Sequence, residues 1–217
     1  MENIKYLIPA RKGSKGLPGK NRLLFDETAK LLKGKDVIVS TDDEILIEKS
    51  KEYNFNVHVR SEKNASDLAT TKDFVLEIIK DLKFDKDDII VMLYLTYPGR
   101  TLKDIENAIN FFESNNANSL LCREKTSDSP YIMLFEKPDN KGEQVIKHNF
   151  SRRQDYLEVF KLCFFVCIFK VKEVVNLNNN MYNNDTIYYK LNDNIFDIDT
   201  IDDLERYYKS KKGEENV

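Results

Sequence analysis

Short apolar segments alternate with amphipathic segments along much of the chain. The apolar or β-branched segments are Lys5 to Ile8, Val37 to Ser40, Val57 to Val59 and Ile89 to Tyr94. Lys72 to Leu82 and Leu102 to Phe112 instead place apolar residues three and four positions apart, which is the spacing of one helix face. Strands that alternate with helices predict an α/β fold with a mostly parallel central sheet between two helical layers.

Two helices begin with a recognisable capping pattern. Thr101 precedes Asp104 by three residues, and Thr200 precedes Asp203 by the same spacing. In this pattern the hydroxyl and the carboxylate each accept a hydrogen bond from a backbone N–H at the start of the helix. Helices are therefore predicted to start at these two threonines.

The middle of the chain departs from the alternation. Tyr131 to Glu136 is followed by a polar turn at Pro138 to Gly142 and by a charged stretch around Arg152. These features predict a hairpin or extended excursion at about residues 130–160, within a single domain that covers residues 1–217.

Two polar segments lie near the carboxyl end. Asn176 to Asn184 is asparagine-rich, and we interpret it as a solvated loop. Lys209 to Val217 is charged and has no apolar face, so we expect this tail to fray.

Composition narrows the class of protein. The chain has 217 residues, of which 41% are hydrophobic and 33% charged, as in soluble globular proteins. No apolar run approaches the ~20 residues needed to cross a membrane, and the first residues lack the pattern of a signal peptide. A net charge of -3 without a basic stripe argues against a nucleic-acid partner. We expect a cytoplasmic protein with neither a membrane nor a nucleic-acid partner.

The cysteines and histidines suggest no chemistry of their own. Cys163 and Cys167 lie in the apolar run from Leu162 to Phe169. On a strand they would share one face but lie too far apart for a disulfide, so we predict that they pack in the core. His58 and His148 are isolated and show no zinc-type spacing, so neither is assigned a role.

A loop dense in glycine and positive charge follows the first strand. Residues 11–21 read Arg-Lys-Gly-Ser-Lys-Gly-Leu-Pro-Gly-Lys-Asn. Glycines let backbone N–H groups approach phosphate oxygens, and Arg11, Lys12, Lys15 and Lys20 add fixed positive charge. The alternative is an ordinary turn with solvated lysines. Because Arg11 stands at the carboxyl end of a strand, where open α/β sheets bind ligands, the pattern favours a triphosphate site.

Two common phosphate-binding motifs do not fit this loop. Five residues separate Gly13 from Gly19, and Asn21 stands where a P-loop has a Ser or Thr that meets magnesium. The even spacing of Gly13, Gly16 and Gly19 also differs from the dinucleotide fingerprint G-x-G-x-x-G.

A pair of acidic residues lies near the carboxyl end. Asp197 and Asp199 alternate with Phe196 and Ile198. On a strand both carboxylates would face the same side and could bind one hard cation, Mg²⁺ or Mn²⁺. The alternative is that they stabilise the start of the following helix.

These segments, in this order, resemble the signatures of the acylneuraminate cytidylyltransferases, the family of the CMP-sialic acid synthetases. The matching segments are Ile8 to Asn21, Val37 to Asp43, Arg60, Leu95 to Thr101, Arg152 to Asp155 and Phe196 to Asp199. The resemblance implies a Rossmann-like, three-layer α/β/α nucleotidyltransferase fold. It also implies CTP and an acidic keto-deoxy sugar as substrates, and a homodimer whose excursion at 130–160 reaches the partner's sugar site.

The resemblance also implies roles for individual residues. Nucleotide binding is expected of Ala10, Arg11, Ser14, Lys15, Lys20, Asn21, Arg60 and Thr71. Sugar binding is expected of Tyr94, Arg152, Arg153 and Gln154, and metal binding of Asp197 and Asp199. The expected catalytic residues are Arg11, Lys20 and Asp199.

The chain departs from this family where the sugar is expected. Tyr94 replaces a glutamine, Tyr97 replaces a serine, and Cys163 to Phe165 replaces Asn-Gly-Ala. Aromatic bulk and the loss of an amide are expected to change the acceptor pocket. A different sugar or a phosphorylated small molecule as acceptor therefore stays open, as does a catalytically inactive nucleotide-binding subunit.

Overall fold

The computed structural model describes residues 3–126, 128–191 and 195–214. The strands are β1 (Ile4–Pro9), β2 (Val37–Thr41), β3 (Asn56–Val59), β4 (Ile89–Met92), β5 (Ser119–Lys125), β6 (Leu134–Lys137), β7 (Lys141–Gln144), β8 (Phe160–Lys170) and β9 (Ile187–Lys190). The helices are α1 (Lys20–Leu31), α2 (Glu44–Glu52), α3 (Glu62–Ala65), α4 (Thr71–Asp81), α5 (Leu102–Ser114) and α6 (Ile201–Glu214). Short 3-10 turns lie at Pro130–Ile132, Arg153–Asp155 and Val171–Asn176.

In the described part of the chain, seven strands form one sheet in the order β3-β2-β1-β4-β8-β5-β9. Neighbouring strands are parallel except where β8 pairs antiparallel with β4 and with β5. This arrangement confirms the predicted mostly parallel sheet. The carboxyl ends of β1 to β4 lie at one edge, where an open α/β sheet binds its ligand.

Alternating residues of each strand face two separate cores. One core receives Ile8 of β1 and Val39 of β2, and α1, α2, α5 and α6 pack on it. The opposite core receives Leu7 and Ile38, and α4 with the turn at Val171–Asn176 covers it. Because both faces of the sheet are covered, its strands are apolar on both sides, as a parallel sheet requires. The predicted three-layer α/β/α architecture is confirmed.

Both predicted capping patterns are present. The Thr101 hydroxyl accepts a hydrogen bond from the Asp104 N–H at 3.2 Å, and the Asp104 carboxylate accepts one from the Thr101 N–H at 2.9 Å. Thr200 and Asp203 form the same pair of hydrogen bonds at the start of α6. These reciprocal hydrogen bonds satisfy backbone donors that the helix itself leaves free.

A bulge in β8 contradicts the prediction that Cys163 and Cys167 share one face. Leu120 of β5 pairs with Ile168, whereas Cys122 pairs with Cys163, so a single residue of β5 lies opposite four residues of β8. The extra residues change which side chains of β8 point to each face of the sheet. Cys163 therefore packs in the core beneath α5, and Cys167 packs in the core beneath α4.

The excursion at 130–160 contains the predicted hairpin. β6 and β7 pair with each other as a separate antiparallel sheet. Asp139 and Asn140 turn the chain with φ angles of 63° and 57°, a conformation that Asp and Asn tolerate better than most residues. The excursion ends in the 3-10 turn at Arg153–Asp155, after which β8 returns to the main sheet.

Residues 209–214 of the segment expected to fray lie in α6. Lys211 in this segment forms an ion pair with Glu27 of α1 at 3.1 Å and lies over the Tyr207 ring. The remaining residues, 215–217, lie outside the described part. Among the described helices, none combines the length and the apolar character that a bilayer span requires.

Burial protects the three cysteines, and their reactivity tests the packing of β5 and β8. Burial raises the pKa of the Cys122 thiol to about 12 and that of Cys163 to about 11, and it also raises the pKa of Cys167. A raised pKa lowers the thiolate fraction, and only the thiolate reacts readily.

We therefore expect an aromatic disulfide reagent at pH 8 to label the native protein more than about a hundredfold more slowly than a free cysteine. The same reagent in concentrated guanidinium chloride should label three thiols per chain. Rapid labelling of any cysteine in the native protein would contradict the packing described here.

Candidate active site

Two adjoining cavities open at the carboxyl ends of β1 to β4. The loop cavity, ≈ 400 Å³, is lined by the glycine-rich loop after β1, by Arg60 and by residues 64–71. The tyrosine cavity, ≈ 340 Å³, is lined by Tyr94, Tyr97, Phe164 and Asp197 together with residues that it shares with the loop cavity. The shared residues are Lys20, Thr71, Tyr94, Thr96 and Asp199. The two cavities therefore form one continuous cleft.

The glycine-rich loop is held by contacts that its glycines permit. A Cβ on Gly16 would lie 2.5 Å from the carbonyl oxygen of Asp199, so only glycine lets the loop approach this backbone so closely. Gly19 precedes α1 with a φ of 70°, again a conformation that favours glycine. The side-chain amide of Asn21 donates to the carbonyl oxygen of Arg11 at 2.8 Å and ties the two ends of the loop together.

Lys20 and Asp199 connect the loop to the acidic segment near the carboxyl end. The Lys20 Nζ donates to Asp199 Oδ1 at 2.6 Å, and the lysine side chain is 13% exposed. Ile198 fixes the acidic segment, because its side chain is fully buried and its N–H donates to the Thr96 carbonyl oxygen at 2.8 Å. The basic loop and the acidic segment therefore meet in the folded chain.

Asp197 faces the same cleft but belongs to an extended segment rather than to a strand. Ile198 points into the core, so the aspartates on either side of it both reach the tyrosine cavity. The Tyr97 hydroxyl donates to Asp197 Oδ2 at 2.9 Å. Burial, with the nearby Asp197, raises the pKa of Tyr97, so the phenol stays protonated as this donor. The aspartates thus have the predicted common direction without the predicted strand.

The two carboxylates suit a hard cation that takes most of its ligands from elsewhere. Carboxylate oxygens are preferred ligands of Mg²⁺, which keeps several waters and commonly uses one or two protein carboxylates with substrate phosphates. Among the described residues, no group of three or more His, Cys, Asp or Glu side chains is placed to enclose a metal ion. Asp197 and Asp199 therefore fit a metal shared with a phosphate ligand rather than a closed structural metal site.

Asp67 neutralises two cations of the glycine-rich loop. Its Oδ1 accepts from the Arg11 guanidinium at 2.6 Å, and its Oδ2 lies 2.8 Å from the Lys15 Nζ. Hydrogen bonds from Lys15 and Arg11 lower the pKa of the Asp67 carboxyl group, so it stays ionised well below neutral pH. Asp67 thus takes the position that an anionic ligand of Arg11 and Lys15 would take.

Arg60 brings a buried cation to the loop cavity. Its Nε donates to the carbonyl oxygen of Ser40 at 3.2 Å and to the Ser40 hydroxyl at 3.0 Å. Its guanidinium lies 4.1 Å above the ring of Phe74. Burial lowers the pKa of Arg60 to about 10, which still leaves it charged at neutral pH. This arrangement leaves the terminal guanidinium nitrogens able to donate to a ligand.

The structure gathers most of the predicted site residues in the cleft. Those that line the loop cavity are Arg11, Ser14, Lys15, Lys20, Asn21, Arg60, Thr71, Tyr94 and Asp199. The Thr71 and Tyr94 hydroxyls hydrogen bond to each other at 3.0 Å, where the two cavities meet. Burial raises the pKa of Tyr94, which therefore acts as a neutral phenol.

Four predicted site residues do not line either cavity. Ala10 is buried in the sheet, where its N–H donates to Ser40 and its carbonyl oxygen accepts from the Thr41 hydroxyl at 2.5 Å. Its backbone groups are thus already engaged. Arg152, Arg153 and Gln154 are exposed at a 3-10 turn of the excursion, which Arg152 precedes.

The Arg152 guanidinium, expected to bind the sugar, is paired with a carboxylate of this same chain. The guanidinium makes two hydrogen bonds to the Asp155 carboxylate, at 2.8 and 3.1 Å. This is the forked geometry that guanidinium and carboxylate groups prefer. A sugar carboxylate would have to displace Asp155 to form the same contact.

Sequence reasoning missed Asp67 and Asn180. Asp67 lies between α3 and α4, and no motif or spacing marks it. Asn180 lines the tyrosine cavity from the segment interpreted as a solvated loop. The Asn178 side chain accepts hydrogen bonds from the Asn180 and Tyr182 N–H groups, so this segment is ordered by its own polar side chains. The density of asparagine was the available signal.

A family model described as Cytidylyltransferase matches residues 6–207. The chain is 27% identical over 214 residues to N-acylneuraminate cytidylyltransferase of Streptococcus agalactiae serotype III, an alignment that covers 91% of this chain and 51% of the relative. It therefore spans about half the length of that relative. It is 29% identical over 225 residues to CMP-N,N'-diacetyllegionaminic acid synthase of Legionella pneumophila, with 91% of each chain covered.

The fold is similar to that of a solved CMP:2-keto-3-deoxy-manno-octonic acid synthetase complexed with CTP. The TM-score is 0.68 at 14% identity, and the match covers 98% of this chain and all of the other. At this identity the likeness supports the architecture alone.

The contacts of Asp67 make a testable electrostatic prediction. Asp67→Asn removes the carboxylate that neutralises Arg11 and Lys15, so an anion no longer competes with it. We expect inorganic pyrophosphate, measured by titration calorimetry without added metal, to bind about three- to tenfold more tightly to this variant.

Asp36→Asn is the matched control, because Asp36 pairs with Lys5 at 2.5 Å and lines neither cavity. This control should bind pyrophosphate as the unmodified protein does. Unchanged or weaker binding to the Asp67 variant would show that the carboxylate does not compete with an anion.

Proposed function

This chain belongs to the cytidylyltransferase family, and we propose that it transfers CMP from CTP to an acidic keto-deoxy sugar with release of pyrophosphate. The acceptor class is a sialic, legionaminic, pseudaminic or related ulosonic acid. The names of two relatives support this class, since one is an N-acylneuraminate cytidylyltransferase and the other a CMP-N,N'-diacetyllegionaminic acid synthase.

The observation that carries the proposal is the contact between Lys20 and Asp199, 2.6 Å apart where the two cavities meet. A triphosphate in the loop cavity would place its reacting phosphate beside this pair. The tyrosine cavity on the other side of the pair would hold the acceptor. The cleft thus has room for two substrates whose reacting groups meet at Lys20 and Asp199.

The reaction needs charge neutralisation more than covalent chemistry from the protein. An acceptor hydroxyl oxygen attacks the α-phosphorus of CTP and forms a new phosphodiester bond. The bond to the bridging oxygen breaks, pyrophosphate leaves, and the hydroxyl proton is released to water. Negative charge grows on the leaving group, and fixed cations that already face it lower the barrier. Arg11, Lys15 and Lys20 are placed to supply these charges, with Arg60 holding the nucleotide.

Mg²⁺, or Mn²⁺, is the metal proposed for this site, with Asp197 and Asp199 as its protein ligands. Such an ion neutralises phosphate charge and makes an attacking hydroxyl more acidic. The Tyr97 hydroxyl donates to one oxygen of Asp197, and Lys20 donates to one oxygen of Asp199. These hydrogen bonds orient the two carboxylates. These side chains would thereby fix the positions of the remaining carboxylate oxygens.

The walls of the tyrosine cavity suit an acceptor with a sizeable carbon skeleton. Tyr94 and Phe164 meet edge to face with ring centroids 6.0 Å apart, and the Tyr97 and Phe165 rings pack in the same manner at 5.6 Å. Packing of this kind makes a rigid apolar surface for the carbon atoms of the sugar. Asn180 offers an amide at the same cavity.

We propose that the protein is a homodimer joined through the excursion. Its exposed apolar side chains are Ile132, Met133, Leu134, Phe135, Val145, Phe150 and Leu157. Large apolar side chains that are exposed together in one segment commonly mark a protein interface. A second copy seated here would account for Arg152, Arg153 and Gln154 as residues that serve the partner's sugar site.

Pyrophosphate release tests the proposed reaction. Each of CTP, UTP, ATP and GTP is incubated with Mg²⁺ and a panel of nine-carbon and eight-carbon keto-deoxy acids. We expect release that needs both CTP and a nine-carbon acid. Release only with another sugar or a phosphorylated small molecule would overturn the acceptor class, and CTP binding without any turnover would overturn the enzymatic proposal.

Substitutions of Asp199 and Lys20 test their proposed roles in the same pyrophosphate-release assay. Asp199→Asn should lower turnover at least about a hundredfold and remove its dependence on Mg²⁺, whereas Lys20→Ala should weaken CTP binding. Asp202→Asn is the control, because Asp202 is exposed in the first turn of α6. Normal turnover by the Asp199 variant would rule out its assignment to the metal.

The dimer is tested by sedimentation velocity. Phe135→Asp places a charge on the apolar excursion and should shift the protein from dimer to monomer. Val175→Asp, which alters an equally exposed apolar residue outside the excursion, should leave the dimer intact. A monomeric unmodified protein, or a dimeric Phe135 variant, would contradict the proposed interface.

A further inference from the structure

Four polar side chains form a continuous path from the protein surface to the loop cavity. Asp81 Oδ2 lies 3.2 Å from His58 Nε2, and His58 Nδ1 lies 3.4 Å from the Ser40 hydroxyl. The Ser40 hydroxyl in turn accepts from Arg60 Nε at 3.0 Å. Arg60 lines the loop cavity, whereas the other three line neither cavity. We call Asp81, His58, Ser40 and Arg60 the histidine relay.

Burial of the relay makes its hydrogen bonds costly to lose. The side chain of Asp81 is 51% exposed, but that of His58 is only 5% exposed and Ser40 is fully buried. A buried polar group that loses its partner is left without water to replace it. Losing one of these hydrogen bonds therefore leaves a buried polar atom of His58 or Ser40 without its partner.

The donors and acceptors of the relay allow one consistent arrangement for a neutral imidazole. The Asp81 carboxylate can only accept, so Nε2 of His58 carries the proton and donates to it. Nδ1 then has a free lone pair and accepts from the Ser40 hydroxyl. The hydroxyl oxygen keeps its lone pairs for Arg60 Nε. Asp81 thus selects the tautomer in which Nδ1 accepts from Ser40. The Ser40 O–H bond then points toward His58, and the oxygen lone pairs face Arg60.

The position of Arg60 depends on the orientation of the Ser40 hydroxyl, because hydrogen bonds hold its guanidinium at Nε. Within the described residues, its Nε bonds to two atoms of Ser40, the carbonyl oxygen and the hydroxyl. The guanidinium plane rests on Phe74. Losing the hydroxyl as an acceptor would let the guanidinium rotate about its side chain and would spread the positions of its terminal nitrogens.

We propose that His58 is a positioning residue that, with Asp81 and through Ser40, holds Arg60 ready for the phosphate or nucleoside of a bound nucleotide. His58 acts on ligand affinity and takes no part in the reaction. This inference rests on the proposed function only in that it takes the ligand of the loop cavity to be a nucleoside triphosphate.

Three substitutions of His58 test the contacts of its two ring nitrogens one at a time. His58→Asn keeps an acceptor near the position of Nδ1 and can still meet Ser40. His58→Gln reaches the position of Nε2 and Asp81 but leaves Ser40 without its acceptor. His58→Leu removes both contacts at similar volume. We expect the Kd of CTP, measured by calorimetry, to rise about fivefold for the Gln and Leu variants and to stay near the original for Asn.

If turnover occurs, the KM for CTP should rise with the Kd while kcat stays unchanged. Ser50→Ala controls for lost stability, because Ser50 is fully buried and donates to the Leu46 carbonyl oxygen, away from both cavities. It should destabilise the fold without altering CTP binding. The proposal would be overturned if Ser50→Ala weakened CTP binding as much as His58→Leu does. It would also be overturned if the three His58 variants bound CTP with the same Kd.

A measurement without any ligand separates this inference from the proposed function. In the unmodified protein, the Nε–H proton of Arg60 should exchange slowly with water in NMR spectra, and it should exchange faster in the Gln and Leu variants but not in Asn. Nitrogen shifts should show His58 as the Nε2–H tautomer, with His148→Gln used to assign the two histidines. Exchange that is the same in every variant would refute the relay even if CTP is the substrate.

Discussion

The ion pair between Lys20 and Asp199 is the contact on which the architecture of the cleft depends. It joins the first turn of α1 to a segment that lies 179 positions later in the chain, with 2.6 Å between the charged atoms. Gly16 makes the approach possible, because any larger residue would meet the backbone of Asp199. Without this closure the basic loop and the acidic segment would be separate surface features, and neither alone could bind both substrates of a transfer reaction.

Among the described residues, three of the four cations of the loop have a carboxylate partner. Arg11 and Lys15 share Asp67, and Lys20 has Asp199. The two pairs of Asp67 are solvent-accessible and contribute little to stability, so exchanging this carboxylate for a phosphate costs little. Arg60 differs, since burial fixes it against the sheet and the ring of Phe74. The site thus combines exchangeable cations for the phosphates with one cation held rigidly in place.

The parallel strands of the sheet place the cations of the site. The strand direction reverses at β8, beside the cavity where the acceptor is proposed to bind. β8 runs antiparallel between β4 and β5, and its bulge shifts the alternation of its side chains. Phe164 consequently reaches the tyrosine cavity, while Phe165 packs against Tyr97. Tyr94 and Tyr97 meet Phe164 and Phe165 of this bulged strand edge to face.

The sequence by itself determined strands β1 to β4, the amphipathic helices α4 and α5, the capping patterns at Thr101 and Thr200, and the chemical character of the basic loop. These follow from periodicity and from contacts within a few residues, which local sequence encodes. Only the tertiary structure decided that Cys163 and Cys167 face opposite cores, that Asp67 meets Arg11, and that His58 leads to Arg60. Such pairings join residues far apart in the chain, and they depend on strand register and loop path, which no local pattern specifies.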